Sequence, residues 1–111
     1  MLETFNDGVT RYWIDYPTAT TAGASTSTAV RGSVMNTQQL TVVGVVTTTA
    51  YAEVQLEGSL DDTNWFGIAT VATLTSNGTT FKSAAEAMRY IRNNILTITG
   101  MSIQITNMGI H

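Results

Sequence analysis

From Leu40 onward most of the chain alternates between apolar and polar residues with a period of two, the spacing at which an extended backbone points successive side chains to opposite faces. In YAEVQLEG (51–58), Val54 and Leu56 share one face, and Glu53, Gln55 and Glu57 share the other. MSIQIT (101–106) sets Met101, Ile103 and Ile105 against Ser102, Gln104 and Thr106. LTVVGVV (40–46) is apolar at both parities, with Leu40, Val42 and Val46 against Val43 and Val45, which predicts a central strand covered on both sides. WFGIATVATLT (65–75) and TTFKS (79–83) flank SNGT, where Asn77-Gly78 supplies the two positive φ angles of a type I′ turn. That turn predicts a hairpin with Ser76 opposite Thr79, Thr75 opposite Thr80 and Leu74 opposite Phe81.

Two segments depart from simple alternation. SAAEAMRYIRNNIL (83–96) opens with a Ser-x-x-Glu capping box at Ser83 and Glu86, which predicts one helical turn over Ser83 to Ala87. Its aromatic and β-branched continuation predicts a strand from about Met88. Near the N-terminus, VTRYWIDY (9–16) reads as a short aromatic strand with Tyr12, Ile14 and Tyr16 on one face, stopped by Pro17. Thr18 to Ser33, TATTAGASTSTAVRGS, is small and polar without a helical period, the pattern of an arm or long loop. Sixteen extended residues reach at most ~53 Å at about 3.3 Å each, enough to touch a neighbouring molecule. The resulting expectation is an all-β protein, an antiparallel β-sandwich or jelly roll of six to eight strands with an extended N-terminal arm. Residues 1–33 form the aromatic strand and arm, and 34–111 the sandwich.

Composition narrows the function. At 111 residues the chain is one domain, burying roughly 65% of its unfolded surface. Only 12% of residues are charged, against about 25% in an average globular protein. The net charge is −3 with five cations, Arg11, Arg31, Lys82, Arg89 and Arg92, too few to neutralise a run of phosphates. There is no cysteine, hence no disulfide or thiolate metal site. No segment has the apolar length of a membrane span or the shape of a secretory signal. The expectation is a protein made in a cytoplasm, with no nucleic-acid or membrane partner.

EGSLDDTNW (57–65) is the densest cluster of chemistry. A turn accounts for Asp61 to Asn64, because Asp and Asn side chains bond nearby backbone amides. As a calcium loop it fails: Phe66 sits where an oxygen ligand belongs and Thr73 where a bidentate Glu is needed. No metal or cofactor is expected. Trp65 is read first as a core residue, whose truncation would cost ~3–5 kcal/mol if buried, and alternatively as a sugar platform with Tyr51, Asp61 and Asn64. Catalysis has little to work with. The single His is His111 at the C-terminus, and Glu53 and Glu57 would stand ~13 Å apart along a strand, too far for a glycosidase pair. The chain is expected not to be an enzyme. Asn77-Gly78-Thr79 matches a glycosylation acceptor, but the turn accounts for it. Arg89 and Arg92 are expected to pair with Glu53, Glu57 or Glu86, or to bind an anionic ligand.

VQLEGSLDDTNW (54–65), MRYIRNNI (88–95) and the closing alternating strand resemble small β-sandwich proteins of tailed phages, and the chain over Leu40 to Thr106 is similar to capsid decoration proteins, the staple or cement proteins of epsilon-fifteen-type podoviruses. Related hairpins also occur in carbohydrate-binding sandwiches, where Gly usually stands at the position of Asp62. The resemblance implies a jelly-roll domain on the outside of an icosahedral shell that bridges neighbouring major capsid subunits, with no catalytic residues. The partners it implies are the major capsid protein and further copies of the chain, as a dimer or trimer. The low charge fits such a surface, because burying Thr, Ser and Asn carries a smaller desolvation penalty than burying Lys or Glu. Phe5, Tyr12, Trp13, Tyr16 and Arg31 are the expected contacts to shell or symmetry mate, an ordinary edge strand being the other reading of that segment. The rival function is a carbohydrate-binding module of a head or tail appendage.

Overall fold

The computed structural model describes residues 2–4, 10–33, 35–71 and 78–110. They form ten strands: β1 (Leu2–Thr4), β2 (Thr10–Asp15), β3 (Gly23–Ala24), β4 (Thr28–Ser33), β5 (Met35–Val45), β6 (Tyr51–Ser59), β7 (Phe66–Val71), β8 (Gly78–Ala84), β9 (Met88–Thr99) and β10 (Met101–Ile110). One sheet, here sheet A, has the order β1-β2-β10-β5-β8; sheet B has the order β3-β9-β6-β7, with β4 also on β9. Every pairing is antiparallel. The all-β sandwich expected from the alternation is the observed fold, and its strand count is higher because the N-terminal third also contributes to the sheets.

Strand parity fixes which residues fill the space between the sheets. Leu40 and Val42 from β5, Ala52 and Val54 from β6, Ile95 from β9, and Met101, Ile103 and Ile105 from β10 form one buried cluster. Val30, Leu56, Met88 and Ile91 form a second, with Ile14 and Ile68 packed against it. Gly100 makes the tight β9–β10 turn with φ +62°, and it lies so close to the Thr47 side chain that a β-carbon would collide. Glycine is therefore required there on both counts.

Four expectations are corrected. Segments 66–71 and 78–84 are not a hairpin: β7 pairs with β6 in sheet B, while β8 pairs with β5 in sheet A. Asn77 and the predicted partners Leu74 to Ser76 lie outside the described residues. Ser83 to Ala87 holds no helical turn. Ser83 and Ala84 extend β8 opposite Thr37 and Asn36, and the Ser83 hydroxyl lies 3.2 Å from that of Thr37 instead of capping a helix. β5 is covered on one face only: Leu40 and Val42 are buried and Val45 packs against the same core, whereas Val43 is 47% exposed, and Val46, just past the strand, is 80% exposed.

The fourth concerns the arm. Thr18 to Ser33 is extended, but it lies along its own sandwich. Ala19 exchanges two backbone hydrogen bonds with Ile103, at 2.8 and 3.0 Å. β3 and β4 pair with β9, and Val30 is in the core. A chain rich in Ala, Gly and Thr has few bulky groups to keep it off a sheet edge, and docking pairs backbone groups that would otherwise remain open on β9.

Candidate functional site

The stretch 57–65 is built from the end of β6 and the loop after it. The Asp61 carboxylate accepts hydrogen bonds from the Thr63 and Asn64 backbone amides (2.9 and 2.8 Å), the Asn64 side-chain amide (2.7 Å) and the Ser59 hydroxyl (2.9 Å). The Asn64 backbone amide, then the Thr63 amide and the Asn64 and Ser59 side chains, hold the carboxyl well below the usual carboxylate range. Asp62 takes φ +60°, the left-handed conformation that Asp tolerates better than most residues. That explains why Asp62 can stand where related motifs carry Gly. The turn reading of this loop is what the structure displays.

Trp65 is neither core nor an open platform. It is half-buried on the outer face of sheet B, and the Arg92 guanidinium carbon lies 4.2 Å from its ring centroid, close enough for a cation–π contact. Arg92 Nε donates to Glu57 Oε1 at 2.7 Å, the pairing expected for this arginine, and Asn94 Nδ2 donates to Glu57 Oε2 at 3.2 Å. The register explains the meeting: Glu57 pairs with Arg92 across β6 and β9. The Glu57 side chain is 10% exposed and that of Arg92 26%. Both carboxylate oxygens thus have donors, which leaves a braced polar and aromatic surface instead of a group free to move protons. Tyr51 stands at the other end of β6, eight residues from Ser59, or about 26 Å at strand spacing, and donates to Glu53 at 3.2 Å. The proposed platform of Trp65, Tyr51, Asp61 and Asn64 therefore does not assemble, because Tyr51 is remote and Asp61 and Asn64 bind each other. Among the described residues no group of three His, Cys, Asp or Glu comes together as a metal site.

The outer face of sheet A is different. Across β8, β5, β10 and β2 the register lines up Phe81, Gln39, Thr106 and Asp15, and beside them Ser83, Thr37, Met108 and Trp13. Phe81 is 65% and Met108 48% exposed, and Thr106 donates to Asp15 at 2.8 Å. This is a broad, nearly uncharged sheet face. Of the expected contact residues, Tyr16 turns inward and packs against the core beside Ile105. Tyr12, Trp13 and Arg31 are placed by backbone only, in β2 and β4. Phe5 and His111 lie outside the described residues.

A third feature escaped the reading of the sequence. Tyr16 to Ser25 form a strap that runs from sheet A to sheet B. It is tied at one end through Tyr16 N to Ile105 O (3.0 Å) and the Ala19–Ile103 pair, and at the other through Ser25 N to Asn93 O (2.7 Å) and Asn93 N to Ser25 Oγ (3.0 Å). Beneath it lies a cleft of about 390 Å³, floored by Asn93, Ile95 and Ile105. Asn93 belongs to a buried polar row with Gln38 and Asn107, set between the two apolar clusters, and Gln38 Nε2 donates to Asn93 Oδ1 at 2.7 Å. The signal was available: Asn93 shares parity with Ile91 and Ile95, Gln38 with Leu40, and Asn107 with Ile105, so each is a polar residue at a core position.

No protein-family model matches the chain, and no curated protein matches it. Solved structures do. The chain is similar to the SPBc2 prophage-derived protein YomS, at 8% identity and TM-score 0.66, over 93% of this chain and 95% of that one. It is similar to a chain of the acid-stable capsid of Helicobacter pylori bacteriophage KHP30, at 14% identity and TM-score 0.52, over 100% and 94%. It also resembles a variant of the family 29 carbohydrate-binding module CBM29-2, at 16% identity and TM-score 0.50, over 100% and 74%. At these identities the likeness is one of fold, an antiparallel β-sandwich common to phage-derived proteins and carbohydrate-binding modules.

Proposed function

We propose that the chain is a structural protein of a bacteriophage particle, not an enzyme, that decorates the outside of the capsid and staples neighbouring major capsid subunits. The observation that carries this reading is the outer face of sheet A, four strands wide, in which the exposed Phe81 and Met108 stand in register with threonine, serine and glutamine, and Asp15 is held by Thr106. Such a face docks against protein without stripping water from many charges. The shared fold with a prophage-derived protein and a phage capsid chain supports the same reading. The test is sedimentation with shells of the phage that encodes the chain. The protein is expected to pellet with shells in numbers comparable to the capsid subunits and to raise their resistance to heat. Phe81→Asp combined with Met108→Asp should abolish pelleting while preserving the melting temperature. Protein that ignores authentic shells would defeat the proposal.

The rival reading, a carbohydrate-binding module of a head or tail appendage, is favoured by one observation, the half-buried Trp65 braced by Arg92 and Glu57 on the outer face of sheet B. Only one face of the indole is taken by the guanidinium. Glycan binding by the isolated protein that is lost in Trp65→Ala, together with only a few copies per virion on a gel, would establish it in place of the staple.

A further inference from the structure

We infer that the cleft beneath the strap is a binding site for a single neutral, hydroxyl-rich ring, of the class of one sugar residue. The inference goes beyond the capsid reading and does not rest on it. At about 390 Å³ the cleft falls in the size range of small-molecule sites, roughly 300–1,000 Å³. None of the described side chains that line it carries a charge, so these offer no counter-ion to a phosphate or carboxylate and favour a neutral ligand. Its chemistry is mixed. Ile95 and Ile105 provide apolar floor, while Thr18, Thr20 and Thr21 bring hydroxyls along the strap.

The second observation lies in the inner wall. Tyr16 and Asn93 both line the cleft, and the Tyr16 hydroxyl and Asn93 Nδ2 are buried with no hydrogen-bond partner among the described residues. Buried polar groups are rarely left in that condition, because each lost hydrogen bond is uncompensated. Nδ2 can only donate, whereas a tyrosine hydroxyl donates and accepts. A ring bearing several hydroxyls can bond the Thr18, Thr20 and Thr21 hydroxyls at the rim and lay its C–H face on the isoleucines. The Tyr16 hydroxyl and Asn93 Nδ2 lie just beneath that wall and are met when those side chains turn toward the ligand. A nucleotide would instead call for cations to meet its phosphate, and none of the described residues lining the cleft is cationic. A lipid chain would leave Asn93 and Tyr16 as they are.

The strap is suited to admit such a ring. It is fixed at both ends by backbone hydrogen bonds, whereas Thr20 to Ala22 between the anchors are exposed. The span free of pairing is Thr20 to Ala22, because Gly23 and Ala24 are already paired with Ile95 and Asn94 of β9.

The test is a titration of the full chain, followed by ¹⁵N–¹H spectra, with glucose, galactose, mannose and N-acetylglucosamine separately, and with glucuronate as the charged counterpart. At least one neutral sugar is expected to move the signals of 19–25 and 93–95, with glucuronate weaker. Ala22→Trp, which fills the cleft from its exposed rim, should weaken that sugar at least roughly tenfold without lowering the melting temperature. Tyr16→Phe should weaken it several-fold. Shifts confined to Trp65, Arg92 and Asn94, no shifts with any sugar, or undiminished binding by a folded Ala22→Trp protein would each overturn the inference. Shell sedimentation of the same preparations reads the capsid role separately, so either proposal can fail while the other stands.

Discussion

The loop Ser59–Trp65 and the strap Tyr16–Ser25 are both short polar connections, yet they dispose of their polar groups in opposite ways. In the loop, donors and acceptors close on one another: a single carboxylate, that of Asp61, gathers four hydrogen bonds from within three residues of itself. In the strap, hydrogen bonding goes to the backbone of Ile103, Ile105 and Asn93, and the side chains around the cleft keep unused capacity. A dense cluster of acidic and amide residues attracts notice in a sequence, but its chemistry is spent on holding a turn. The plain run of Ala, Thr and Gly spends its backbone on anchoring and leaves its side chains for something else.

The largest expected effect tests the idea that polar groups near the loop are mutually satisfied. Arg92→Met removes the ion partner of a Glu57 carboxylate that is largely withdrawn from solvent, and should cost about 2–3 kcal/mol in urea unfolding. Loss near zero would mean that Glu57 finds water as readily as it finds Arg92. The next effect belongs to the strap side. Asn93→Leu leaves Gln38 Nε2 without its acceptor and should cost about 1–2 kcal/mol. Pairing it with Gln38→Leu should recover most of that, since replacing both partners removes buried polar atoms instead of orphaning them. A double variant as unstable as the sum of its parts would show that the polar row contributes net stability.

Much of the fold was legible because parity is set by backbone geometry alone: β6 and β10 appear in the sequence as alternating rows, β9 as an aromatic and β-branched run, and the meeting of Glu57 with Arg92 follows once β6 and β9 are neighbours. What parity does not encode is which sheet a strand joins. Asn77-Gly78 is strong local turn chemistry, yet β7 and β8 part to different sheets, an outcome decided by which strand edges β5 and β6 offer. Likewise the shared parity of Val43 and Val45 invites a second covering layer, but the register shift at Ser102/Ile103 returns Val45 to the core and leaves Val43 exposed. The polar row was hidden by residue type. Asn and Gln are read as surface groups, and only their shared parity with Leu40, Ile91, Ile95 and Ile105 marks them as interior. The strap cleft depends on two strand ends brought together by the whole topology, so no local window contains it.

A smaller effect separates packing from stacking at Trp65. Because the ring is half-buried beneath Arg92, Trp65→Ala should cost about 1–2 kcal/mol, below the ~3–5 kcal/mol of a core aromatic. A double-mutant cycle with Arg92→Met should recover a coupling of roughly 0.5–1 kcal/mol. Coupling indistinguishable from zero would leave the indole held by its strand neighbours alone.

The smallest effect returns to the loop and separates its two aspartates. Asp62 holds φ +60°, a conformation that strains any residue with a β-carbon, so Asp62→Gly should raise stability by up to ~1 kcal/mol. The rise should appear as a higher urea midpoint with an unchanged slope. Asp61 behaves oppositely. Its carboxyl ionises more readily in the folded chain than at the ordinary value of 3.8, so its contribution is fully present above that pH and is lost as the pH falls toward the lower folded value. Asp61→Asn should therefore flatten the acid limb of the stability curve below about pH 4 and leave the slope near neutrality untouched. If Asp61→Asn left the acid limb as it is, the hydrogen bonds gathered by Asp61 would not be what holds the turn, and the contrast between a self-satisfied loop and an open strap would rest on backbone conformation alone.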